Sequence, residues 1–96
     1  MSELAREVEA ADWLVASLTE AQAAVIRGFL RGEEEALLDG LAEMLILSYL
    51  LAGRLGFGFR RLDLRARERL RANIASRHEL ERWFGDLSGL LVHLER

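Results

Sequence analysis

Cysteine, proline and lysine are all missing from this 96-residue sequence, and aromatic residues make up only 7% of it. Without cysteine there is no disulfide framework and no thiolate zinc site, and a reducing compartment fits. Without lysine, all thirteen basic residues are arginines, which removes the P-loop lysine and the Schiff-base lysine from consideration. No proline breaks a helical pattern, and neither an alternating strand pattern nor a low-complexity linker occurs. A long hydrophobic run is lacking too. The most apolar stretch, from Leu41 to Ala52, contains Glu43 and falls short of the roughly 20 residues a bilayer span needs. The segment up to Asp12 is acidic and lacks the apolar core of a signal peptide. These absences predict a cytoplasmic protein with no membrane span.

What is present is 51% hydrophobic and 30% charged, enough for one domain over residues 1–96 with a thin core. Below roughly 70–80 residues a single core rarely supplies more than about 3–5 kcal/mol, and this chain is only slightly longer. With no covalent staple and much apolar helix surface, self-association as a homodimer or tetramer is expected. Charge is divided unevenly. Residues 1–53 hold ten acids and three arginines, whereas residues 54–96 hold six acids and ten arginines. An acidic helix layer beside a basic one accounts for this. The net charge of −3 argues against a general nucleic-acid binder, whose affinity comes mainly from neutralising phosphates.

The chain reads as all-α, with four or five helices. Ser2 is placed to cap a first helix, along which Leu4, Val8, Ala11, Val15, Leu18, Gln22, Val25 and Phe29 recur at alternating spacings of four and three, a seam for another helix. Capping-box spacings at Ser17/Glu20 and Thr19/Gln22 leave two shorter helices as an alternative to one spanning residues 2–31. Gly32 ends this segment. The second helix, about Glu33 to Leu55, is expected to be buried, carrying an acidic ladder of Glu35, Asp39 and Glu43 and closed by Gly53 or Gly56. Gly40 within it predicts a close helix crossing, and Phe57 and Phe59 are expected beneath the following loop. An arginine-rich helix from about Leu62 to Ala75 follows. A Ser76/Glu79 capping box then opens a last helix, which Gly85 can kink or split.

Few side chains offer chemistry. His78 and His93 stand in no metal-ligand spacing, and Ser48 within an apolar helix is expected to bond back to a carbonyl rather than act as a nucleophile. Carboxylates are the better candidates. Asp39 and Glu43 are four apart on one helix, within reach of one hard cation such as Mg²⁺, which prefers oxygen ligands and commonly uses one or two carboxylates together with substrate phosphates. Antiparallel pairing across Gly32 would bring Glu20 towards the level of residue 43. The competing explanation is that these acids merely face arginines.

The segment Leu38-Asp39-Gly40-Leu41-Ala42-Glu43-Met44-Leu45-Ile46, followed by Leu50-Leu51-Ala52-Gly53-Arg54-Leu55-Gly56, resembles the acidic helix and helix end of MazG-like proteins. The run Arg69-Leu70-Arg71-Ala72-Asn73-Ile74-Ala75-Ser76-Arg77 resembles the basic-x-x-x-Asn-x-x-x-basic element of that family, and His78 to Ser88 resembles the ending of its short members. The resemblance implies a helical bundle completed by oligomerisation, within a superfamily of nucleoside triphosphate pyrophosphohydrolases. It implies Mg²⁺ held by Glu20, Asp39 and Glu43, and a nucleotide held by Arg69, Asn73 and Arg77. Two departures stand against full activity. Active members pair E-x-x-E with E-x-x-D, but here Ala23 replaces the partner of Glu20, and Asp39 and Glu43 are separated by four rather than three. The expected function is therefore binding of a nucleotide or phosphorylated ligand through Mg²⁺, with hydrolysis to monophosphate and pyrophosphate in doubt. No catalytic residue is assigned. The alternative is a non-catalytic oligomerisation or partner-interaction module that has lost the metal site.

Overall fold

The computed structural model describes residues 2–96, and among these there are five helices and no strand. They are α1 (Glu3–Arg31), α2 (Glu34–Arg54), α3 (Phe59–Ala75), α4 (Glu79–Phe84) and α5 (Asp86–Leu94). The all-α expectation holds. The described chain divides into two compact units, the first ending at Phe59 and the second comprising Arg60–Arg96.

The first unit is an antiparallel hairpin of α1 and α2. Helix α1 is continuous through the two capping-box spacings near residue 18. It starts at Ser2, whose side chain accepts from the Ala5 amide at 3.1 Å. It stops at Gly32, whose φ of 66° is the left-handed conformation that glycine adopts without steric cost. The Glu33 amide reaches back to the Gly28 carbonyl at 2.9 Å, a helix stop of the Schellman type.

The two helices meet along Leu14, Leu18, Ala21, Val25 and Gly28 on α1 and Leu37, Gly40, Met44, Leu47 and Leu51 on α2. Backbones come close at two crossings. A methyl group built on Gly40 would sit 2.9 Å from Val25 Cγ2, and one built on Gly28 would sit 2.9 Å from the Leu37 backbone nitrogen. This meets the close crossing expected at Gly40. The seam predicted on α1 is shifted round the helix, sharing only Leu18 and Val25 with the one formed. Val15 and Phe29, from the predicted seam, are exposed, Phe29 by 70%. Small residues allow the backbones to approach, so the true seam is less hydrophobic than its neighbour.

Helix α2 departs from its expected burial. Within one chain only Gly40, Leu47 and Ala52 are buried on it, while Leu38, Leu41, Leu45, Ile46 and Leu50 are exposed, Leu45 by 60%. Only the stripe facing α1 is covered. By length and composition alone α2 is long and apolar enough to cross a membrane, although its charge-free run is short. Ser48 donates to the Met44 carbonyl at 2.8 Å, as expected. Gly53 remains helical, and Gly56, with φ 85°, takes the left-handed position after the helix. Phe57 and Phe59 are exposed rather than core plugs, though the Phe59 ring meets Tyr49 edge-on at a centroid distance of 5.8 Å.

The second unit is held differently. Its one buried side chain among the described residues is Leu70. Arg71 pairs with Glu95 at 2.6 Å, joining α3 to the end of α5, and Arg65 pairs with Glu68 one turn along at 3.3 Å. The expected Ser76/Glu79 capping box does not form. Ser76 bonds back to the Asn73 carbonyl at 3.1 Å, and His78 caps α4 instead. Gly85, with φ 70°, splits the expected last helix into α4 and α5.

Candidate functional site

Pairing Gly28 with Leu37 and Val25 with Gly40 fixes the hairpin register: Leu18 stands level with Leu47, and Leu14 with Leu51. Glu43 is then opposite Gln22, and Glu20 lies about half a turn away, close to the level expected. Helical geometry carries the register around each axis and divides the exposed surface into two flanks. One bears Glu20 and Arg27 from α1 with Asp39 and Glu43 from α2. The other bears Val15, Ile26 and Phe29 with Leu38, Leu41 and Leu45. The three candidate carboxylates therefore share a side of the hairpin.

Sharing a side is not the same as converging. Glu20 is solvent-exposed, and so are Glu35, Asp39 and Glu43, which corrects the expectation of an acidic ladder on a buried helix. Among the described residues no three His, Asp or Glu side chains come together in a way that could hold a metal ion. What one chain offers is the Asp39/Glu43 pair, four residues apart on α2, with Glu20 across the seam. Glu35 belongs to the first turn of α2 beside Glu34, where acidic side chains suit the positive end of the helix. A shallow groove lies farther along α1, lined by Arg6, Glu9, Ala10 and Trp13. It contains none of the predicted residues.

In the second unit, Arg69 and Arg77 are exposed and Asn73 is half-buried, all at or beyond the C-terminal half of α3. Residues 69, 73 and 77 recur every fourth position, which would align them on one face if the helix continued. It ends at Ala75. Arg77 has a φ of 58°, the only left-handed non-glycine residue among those described. Its amide donates to the Ile74 carbonyl at 3.1 Å and the His78 amide to the Asn73 carbonyl at 3.0 Å, so Arg77 fills the role that Gly32 fills after α1. No pattern of hydrophobic spacing marks this position.

The sequence profile of the MazG-like family matches residues 4–87. The chain belongs to the MazG-like family. The match takes in both units, including the α1–α2 hairpin and the Arg69 to Arg77 element. No curated protein and no solved structure gives a significant match. Family membership relates the chain to the nucleoside triphosphate pyrophosphohydrolase-like fold.

Oxygen donors suit Mg²⁺, but a complete carboxylate cage does not fit the residues present. Ala23 offers no ligand, and the three remaining acids do not gather around one point. A hydrated ion held by Asp39 and Glu43, with phosphate oxygens filling other positions, is within the ordinary coordination habits of Mg²⁺. A second cation-assisted function, activating water for attack, requires a tighter and more complete set.

Proposed function

We propose that this MazG-like chain binds a nucleotide or another phosphorylated ligand together with Mg²⁺, as a homo-oligomer, and that binding rather than hydrolysis is its main property. In this proposal Asp39 and Glu43 hold the ion, Glu20 adds negative charge on the same flank, and Arg69, Asn73 and Arg77 meet the phosphates or base. Family membership carries the proposal. The backbone at Arg77 supports it: a non-glycine residue in the left-handed region costs of order 1 kcal/mol, and such outliers concentrate at functional positions.

The apolar flank supports the oligomeric part. A second copy covering Val15, Phe29, Leu38, Leu41 and Leu45 would remove from water surface that one chain leaves exposed. The protein would then remain cytoplasmic with α2 inside the assembly. Light scattering would check this directly: a monomer in detergent-free buffer would sink the oligomer, and recovery only in membranes would sink the cytoplasmic assignment.

A second reading has its own observation. Among the described residues no converging metal set occurs, which favours a non-catalytic interaction module. The two readings separate on ligand binding. A nucleotide panel with Mg²⁺ and Mn²⁺, followed by both pyrophosphate release and calorimetry, distinguishes them. Heat of binding without pyrophosphate supports the first, and silence in both assays supports the second.

A further inference from the structure

Arg27 is an exposed cation on the acidic flank of the hairpin. It follows Glu20 by two helical turns, which returns the chain to the same side of α1. The pairing of Val25 with Gly40 and of Gly28 with Leu37 sets Arg27 level with Leu38, one residue from the level of Asp39. Long side chains on a helix cover the turn on their N-terminal side, which for Arg27 is the turn of Ala23. Alanine leaves that turn open. A guanidinium over it lies between the levels of Asp39 and Glu43. Among the described residues, Arg27, Asp39 and Glu43 are all exposed, and none of the three makes a side-chain hydrogen bond or ion pair.

We infer that Arg27 is a phosphate-binding residue of this flank, its guanidinium meeting the phosphates of a nucleotide whose Mg²⁺ sits at Asp39 and Glu43. The inference rests on the Mg²⁺–nucleotide reading above and adds the residue that supplies positive charge on the hairpin itself. A nucleoside triphosphate carries more negative charge than one Mg²⁺ neutralises, and here two carboxylates already answer the charge of the ion. With Glu20 on the same flank, the phosphates need a further cation beside the metal. Arginine suits that place because its planar fork pairs two donors with two phosphate oxygens. Without a ligand the same charge acts the other way. Arg27 then repels a cation arriving at Asp39 and Glu43, so the flank favours the metal–nucleotide complex over the free metal. A residue that only neutralised Asp39 would not make this distinction. Its removal would ease metal entry and leave nucleotide binding no weaker.

Two titrations of the full chain test this. Mn²⁺ shares the octahedral oxygen coordination of Mg²⁺, and water-proton relaxation reads its binding without nucleotide. Calorimetry with ATP, GTP, CTP and UTP at saturating Mg²⁺ reads the second step. Arg27→Gln should bind Mn²⁺ alone about twofold more tightly, the size of a like-charge repulsion screened by physiological salt. It should bind the triphosphate roughly fivefold to tenfold more weakly, the size of one exposed charge-assisted contact. Opposite signs cannot come from loss of the fold, since a misfolded variant loses both. Arg27→Lys keeps the charge without the fork, so it should match the parent with Mn²⁺ and fall between parent and Arg27→Gln with the triphosphate. Arg31→Gln, one turn farther from Glu43, should leave triphosphate binding near that of the parent. Equal triphosphate affinity in the parent and Arg27→Gln overturns this inference and leaves nucleotide binding in place, whereas no triphosphate binding by the parent overturns both. Mn²⁺ affinity that is the same in both proteins, or undetectable in both, also overturns it, as does an equal weakening in Arg31→Gln.

Discussion

The hairpin and the C-terminal unit are both helical, yet they are held by different means. In the hairpin, side chains along one seam interlock, and at Gly28 and Gly40 the backbones themselves nearly touch. In the C-terminal unit only Leu70 is buried, and polar contacts such as Arg71–Glu95 and Glu81–Ser88 join the elements at the surface. The same turn even closes with different residues, Gly32 after α1 and Arg77 after α3. Where packing sets the geometry, a single methyl group matters. Where exposed polar pairs set it, single changes cost little and dissolved salt has more influence.

Substitutions should rank accordingly. Leu47 is 2% exposed at the centre of the seam, and Leu47→Ala should cost about 3 kcal/mol in chemical denaturation through lost burial and the cavity left behind. A comparable loss from Leu64→Ala, exposed on α3, would break the contrast. Next come the glycines. Alanine is the better helix former by about 1 kcal/mol, but at Gly28 the new methyl meets the rigid Leu37 backbone, so Gly28→Ala should cost roughly 2 kcal/mol net. At Gly40 the nearest backbone atom is the Val25 nitrogen at 3.2 Å, against 2.9 Å for the Leu37 nitrogen at Gly28, so Gly40→Ala should cost less than Gly28→Ala. The reverse order would show that the crossing is read wrongly.

Arg77→Gly should instead stabilise the chain by about 1 kcal/mol, because glycine relieves the left-handed backbone. If the side chain binds phosphate, the same substitution should weaken nucleotide binding, splitting stability from function. The smallest effect is expected at the exposed Arg71–Glu95 pair. Glu95→Gln should change stability by less than about 1 kcal/mol, and that change should shrink further in high salt.

Much of the fold could be read from the chain because its signals are local. Ser2, Gly32 and Ser48 act through bonds within four residues of themselves, and each does what its surroundings suggest. The seam was misplaced because hydrophobic spacing rewards bulk. Val15 and Phe29 outscore Ala21 and Gly28, although only the small pair lets the helices approach. Gly28 could have been found from Gly40, because a crossing there places Val25 opposite it, and Gly28, three residues on, lies on the same face of α1. Ser76 and His78 exchanged roles because Arg77 adopts the left-handed turn, which leaves Ser76 with α3 and moves the start of α4 by two residues. The candidate site was legible only in part. The spacing of Asp39 and Glu43 lies within one helix, whereas the distance to Glu20 depends on helix rotation, which no short motif encodes.

The proposal that this MazG-like chain binds a phosphorylated ligand through Asp39 and Glu43 rests most directly on one calorimetric titration. Nucleoside triphosphates are titrated with Mg²⁺ into the parent and into Asp39→Ala/Glu43→Ala, with pyrophosphate followed in the same samples. The account predicts binding to the parent, at least about tenfold weaker binding to the double variant, a loss of roughly 1.4 kcal/mol, and little or no pyrophosphate from either. No binding to the parent, or equal binding to both, would contradict it.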